Sequence, residues 1–142
     1  MDVPPERLAI AAVVQSLASL GSGIPFGAAE WPQPFDPADH LPFGFSFEQL
    51  LDEGETIVDV ERIALSSAGA ALGLIVDKSS DFAPIIDAAA GRAVQLWFSV
   101  DPDMQNGAPF DAAGARVPVT FRVLTSKAHR FERSAVLTVR QL

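Results

Sequence analysis

The sequence predicts a mainly β protein: an immunoglobulin-like antiparallel β-sandwich preceded by an N-terminal helix and an extended proline-rich arm. Three observations predict it. From Thr56 onward apolar residues recur at every second position. Polar turns separate these runs, with no long helices between them. Before residue 43 the pattern changes to an apolar run followed by closely spaced prolines. Alternating strands joined by turns bury one face each and make a sandwich or a barrel. The expected division is 1–42 for helix and arm and 43–142 for the sandwich.

The N-terminal element comes first. Pro4 and Pro5 suit a helix entry, and Ile10, Val13, Val14, Leu17 and Leu20 share one face at helical spacing. Gly21 and Gly23 then supply a stop. The helix has two readings, packing on its own domain or docking on a neighbouring subunit. The β-branched pair Val13-Val14 also allows a strand. Leu8 to Val14 has the length of a signal-peptide core, but Asp2 and Glu6 before it oppose the positive charge such a leader carries. The run is also shorter than the roughly 20 apolar residues that span a bilayer. It is read as part of the mature structure.

Pro25, Pro32, Pro34, Pro37 and Pro42 punctuate the next stretch, with Phe26, Trp31 and Phe35 between them. Proline fixes φ and pushes its predecessor into extended backbone. The expected form is an extended strap anchored by its aromatics on its own sandwich or on another protein. Phe43 to Phe47 alternates as a short strand. Thr56 to Leu65 alternates with a one-residue slip, which predicts a β-bulge near Glu61-Arg62. Leu72 to Val76 alternates. Phe82 to Ile86, broken by Pro84, reads as an edge or a loop. Val94 to Val100, Val117 to Leu124 and Phe131 to Arg140 complete the set, with residues 126–130 as a hairpin connection.

Composition limits function. With 142 residues, 49% hydrophobic and 20% charged, the chain can enclose a core. A net charge of −8 with basic residues scattered singly argues against nucleic acid and against an anionic membrane surface as partners. Cysteine is absent, which removes disulfides and thiolate metal sites and suits a reducing cytoplasm.

No constellation supports catalysis. The chain has no Gly-x-Ser-x-Gly elbow and only two histidines. His129 sits in the hairpin turn, where solvation is expected, and His40 reads as a local hydrogen-bonding residue. Two distant histidines without cysteine make zinc unlikely. Asp101 to Gly107 has aspartates at the first and third places of a calcium loop, but Asn106 and Ala112 occupy the required glycine and acid places. Asp52, Glu53, Glu55, Asp59 and Glu61 read as a solvated acidic face. Gly21-Ser22-Gly23 lacks the spacing and the lysine of a phosphate loop. No enzyme, no metal and no cofactor is expected. Trp97 points away from Val94, Leu96, Phe98 and Val100, so it is buried under the strap, placed at a partner interface, or free to stack on a sugar.

Two stretches carry a resemblance. One runs from Phe35-Asp36-Pro37-Ala38-Asp39 through Phe43-Gly44-Phe45-Ser46-Phe47 to Leu51-Asp52-Glu53-Gly54-Glu55-Thr56-Ile57. The other is the final hairpin, Phe121-Arg122-Val123-Leu124-Thr125 to Arg130-Phe131-Glu132-Arg133-Ser134 and Val136-Leu137-Thr138-Val139. Together they resemble small virion proteins of tailed bacteriophages of the fibre–tail adaptor type, over about Phe35 to Val139. Phe47 stands where that pattern has tryptophan, Ala128-His129 replaces its hairpin glycine, and Met1 to Trp31 has no counterpart. The resemblance implies a virion structural protein, made in the host bacterial cytoplasm and associated with other virion proteins and with copies of itself. Its expected role is capsid decoration or cement, with a tail or tail-fibre adaptor as the alternative. A free carbohydrate- or protein-binding module is the second alternative. The expected partner-binding residues are Ile10, Val13, Val14, Leu17, Leu20, Phe26, Trp31, Phe35 and Trp97.

Overall fold

The computed structural model describes residues 3–15 and 24–142. Strands dominate it: β1 (Leu8–Ile10), β2 (Ala29–Glu30), β3 (Leu41–Ser46), β4 (Ile57–Leu65), β5 (Leu74–Val76), β6 (Ile85–Ile86), β7 (Ala93–Val100), β8 (Ala115–Thr125) and β9 (Arg130–Val139). One short helix, α1 (Ser67–Ala71), follows β4, with Ser66 capping it by accepting from the Gly69 N–H at 3.1 Å. Among the described residues no helix is long and apolar enough to cross a membrane.

The strands form two sheets. In the first the order is β1-β3-β7-β5, and β6 joins β7 on the edge that β5 also uses. In the second the order is β2-β9-β8-β4. The long strands pair antiparallel: β3 with β7, β4 with β8, and β8 with β9, the last pair joined by a short turn. β1 pairs parallel with β3, and β2 pairs parallel with β9.

Alternation places the core between the sheets. Phe43, Phe45, Leu96 and Phe98 face inward from the first sheet; Val119, Phe121, Val123 and Leu137 face inward from the second. The expected slip in β4 is present as a register shift between Val60 and Arg62, and a second lies between Ile57 and Asp59. Leu72 closes α1 rather than opening a strand, so the run there shortens to β5.

The N-terminal helix is corrected. Among residues 3–15 there is one 3-10 turn, Pro5–Arg7, and then β1. The helical spacing hid a period of two: Ala9 and Ala11 are buried, whereas Ile10 faces out. Small residues point inward where β1 closes onto β3, and the edge of β3 satisfies the backbone. Leu17 and Leu20 lie outside the described residues.

The proline-rich stretch is not a free arm over its described part, 24–42. It pairs with β9 at Ala29–Glu30 and again at Phe35, whose N–H donates to the Thr138 carbonyl at 2.8 Å. Pro32 and Pro34 flank an excursion between the two contacts, where the Gln33 N–H reaches the Glu6 carbonyl at 2.9 Å. Trp31 and Phe35 then drop into the core (3% and 0% exposed). Residues 43–142 therefore do not enclose a core alone; the hydrophobic cluster runs unbroken across residue 42.

Gly114, just before β8, has φ +74, and a Cβ there would collide with the Val139 carbonyl and Arg140. Gly54 has φ +77 with nothing within 4 Å. Gly54→Ala should cost only the backbone term of about 1–2 kcal/mol. Gly114→Ala should cost visibly more, read as the denaturant midpoint of each variant; equal costs would contradict this packing.

Candidate functional site

Four of the nine large hydrophobics exposed among the described residues lie in the N-terminal segments: Ile10, Val13, Val14 and Phe26. Val14 is the barest of the nine at 81%. Local bonding holds them in place. The Ala11 N–H donates to the Ser46 carbonyl at 2.8 Å, extending β1. Arg133 on β9 donates from Nε to the Ala12 carbonyl (2.8 Å) and from Nη2 to the Val13 carbonyl (3.0 Å). The Ser134 N–H donates to Gln15 Oε1 at 2.9 Å. Gly27 packs closely on the Val14 carbonyl, which sets Phe26 beside the same segment. The result is an apolar rim on one edge of the sandwich, fixed by polar bonds to its backbone.

Of the expected partner-binding residues, Ile10, Val13, Val14 and Phe26 are at the surface on this rim. Trp31 and Phe35 are corrected: both are sealed in the chain's own core and present nothing to a partner. Trp97 lies on the outer face of the first sheet, half-buried between His40 and Phe82, whose ring centroids are each 4.8 Å from its own. His40 Nε2 is 3.0 Å from Asp77 Oδ2. The Ser79 N–H and hydroxyl, and then His40, hold the Asp77 carboxyl below the usual range. Trp97 is thus flanked by its own chain, with His40 from the strap on one side.

Sequence reasoning missed Arg133 as the anchor, because its acceptors are main-chain carbonyls 120 and 121 residues away. It also missed Glu55. That residue is 1% exposed, not part of a solvated face. Its Oε1 accepts from the Asp52 N–H at 2.9 Å, and its Oε2 accepts from the Thr125 hydroxyl and lies 2.8 Å from His129 Nδ1. Thr125, then Asp52, then His129 hold the Glu55 carboxyl below its ordinary value, against the opposing effect of burial. Arg92 clamps the same loop from its other side through the Glu48 and Leu51 carbonyls.

Asp52, Glu55 and His129 bring one ligand atom each within 4.8 Å of one another. The set reads better as a latch than as a metal centre. Both Glu55 oxygens already accept hydrogen bonds, and the Lys127 ammonium lies 3.4 Å from Asp52 Oδ2. A divalent ion would have to displace both. The latch ties the loop before β4 to the β8–β9 hairpin, and it corrects the expectation that His129 is merely solvated.

Compared with known proteins, the chain matches no family model, and no curated protein or solved structure is similar to it.

Proposed function

We propose that this chain is a non-enzymatic structural component of a tailed-phage-type particle. Its module is read as an immunoglobulin-like sandwich with parallel edge strands added, and it acts as a capsid decoration or cement protein. The observation that carries the reading is the apolar rim of Ile10, Val13, Val14 and Phe26. Exposed apolar side chains on a segment already ordered by Arg133 and Gln15 lose little entropy on docking, so their burial goes largely into affinity. The acidic charge suits the outer surface of a head, which need not touch DNA. The resemblance of the final hairpin to fibre–tail adaptors keeps an adaptor role as the second reading. The carbohydrate reading loses support, because His40 and Phe82 flank the Trp97 ring.

Deleting Met1 to Glu30 is a poor test, since it also removes β1 and β2. Val13→Asp with Val14→Asp alters the rim alone. Co-sedimentation with empty phage-type shells that bind the wild-type protein should fall at least about tenfold, the loss of about 1.4 kcal/mol or more. Far-ultraviolet circular dichroism should not change. Unchanged sedimentation of the double variant would overturn the reading. Wild-type protein that ignores shells but sediments with tails would replace decoration by the adaptor.

A further inference from the structure

The two sheets present different outer faces to solvent. The second sheet carries three ion pairs across its outer face: Arg116 with Glu30, Arg122 with Glu132 and Arg130 with Glu61. The strands of the first sheet, β1, β3, β5, β6 and β7, contain no ionisable residue. With Phe43, Phe45, Leu96 and Phe98 turned into the core, alternation points Leu8, Pro42, Gln95, Trp97, Ile75 and Ile85 outward. Ile75 and Ile85 are 45% and 52% exposed. They pair with β7 at Ser99 and Gln95, on either side of Trp97. At the margin of this face His40 and Asp77 are paired with each other, and Arg7 is turned onto the Pro42 carbonyl. A sheet face left to water normally alternates to polar and charged side chains. A face without charge over five strands marks a contact surface, since the centres of interfaces are depleted in charge.

Charge also decides the occupant. The chain has a net charge of −8, so two copies repel wherever their charged surfaces meet. A two-fold axis lays a patch on its own copy, which doubles any charge the patch carries. The outer face of the first sheet is the sheet face on which that doubling costs nothing. A basic partner would instead be drawn to acids, which this face lacks. Sheets also pack well face to face, at a separation of about 10 Å. Four strand widths of about 4.8 Å and the eight residues of β7 at about 3.3 Å each outline roughly 500 Å² per copy. Two copies then bury about 1,000 Å², the lower limit for a specific interface. We propose that two copies of this chain pack the outer faces of their first sheets against each other across a two-fold axis. The contact is small, so the dimer forms in proportion to concentration. It does not use Val13, Val14 or Phe26 and stands apart from the reading of the rim.

The test is sedimentation velocity on the full chain and on charged variants of this face. Wild type should pass from monomer to dimer as concentration rises and stop there, because a two-fold contact closes. Ile75→Glu with Ile85→Glu makes the face acidic, and Ile75→Lys with Ile85→Lys makes it basic. Both sites are about half exposed, so circular dichroism should not change. Either variant alone should have a dimer dissociation constant at least about a hundredfold above that of wild type, because like charges then face each other. Mixed in equal amounts, the acidic and basic variants should dimerise again. A wild type that stays monomeric or grows beyond the dimer would overturn the inference, as would a charged variant that dimerises like wild type or a mixture that stays monomeric. If wild type is monomeric and the acidic variant loses binding to shells, the face belongs to the shell protein and not to a second copy. Val13→Asp with Val14→Asp should dimerise as wild type does, whatever becomes of its shell binding, so this inference and the proposed function can fail separately. Loss of the dimer in that variant would place the contact on the rim and sink the two-sheet interface.

Discussion

Trp31→Ala is expected to destabilise the protein by about 3–5 kcal/mol, the range for removing a large aromatic from a packed core. Trp31 joins the two sheets. Its ring centroid lies 5.6 Å from Phe98, 5.7 Å from Phe43 and 6.2 Å from Phe45 in the first sheet, and 6.3 Å from Phe121 in the second. Its Nε1–H donates to the Gly44 carbonyl at 2.8 Å, in a buried hydrogen bond. Alanine would leave a cavity and an unpaired acceptor. Trp31→Phe keeps much of the ring and loses the donor, so its cost should fall between wild type and alanine. Urea unfolding of the three proteins decides the matter. A tryptophan anchoring an exposed strap would cost far less than this, since surface substitutions are usually within about 0.5 kcal/mol. The same packing predicts that a fragment of residues 43–142 gives no cooperative unfolding transition.

Acid should weaken the fold through Glu55, and Glu55→Gln should blunt that part of the pH dependence. The carboxyl is held below its ordinary value of 4.5 by Thr125, Asp52 and His129. A depressed carboxyl stabilises the native state at pH values above 4.5, and the contribution is lost as pH falls through its lower native value. Asp77 and Glu61 are shifted in the same direction, by Ser79 and by Arg130 respectively, so some acid sensitivity should survive in the variant. Glu55→Ala removes the acceptor altogether. The buried Thr125 hydroxyl, whose oxygen still accepts from the Lys127 and His129 N–H groups, then loses the acceptor for its own proton, at a cost of about 1–3 kcal/mol. Stability measured from pH 7 down to pH 3 for wild type, Glu55→Gln and Glu55→Ala tests both statements. Curves for wild type and Glu55→Gln that stay parallel below pH 4.5 would contradict the latch. The hairpin tip should loosen with the latch, seen as faster amide exchange at Ala128 and His129.

The long strands could be read from the chain because each carries its own evidence. In β7 and β8 the inward residues alternate with outward ones over a whole strand, and only an extended backbone between a core and a polar surface gives that pattern. The slip at Glu61-Arg62 was equally local, since a bulge must offset the alternation. The rim was partly legible: Ile10, Val13, Val14 and Phe26 stood out as apolar, though under the wrong secondary structure. Glu55 could not be identified, because its partners Thr125 and His129 lie 70 and 74 positions away and a buried carboxylate looks like any other acid in sequence.

By itself, then, the sequence determined a mainly β chain, its strand phases and the absence of any recognisable catalytic motif. Tertiary structure alone decided the form of the described residues before 43, that is 3–15 and 24–42. Leu8 to Val14 reads as part of a helix by spacing, with only the β-branched pair Val13-Val14 allowing a strand. Pairing with the open edge of β3 settles it, because that edge offers backbone partners and room only for alanines. The prolines showed that the next stretch is extended, but not what it lies on. That depended on the space between two sheets formed by residues far along the chain, which Trp31 and Phe35 fill.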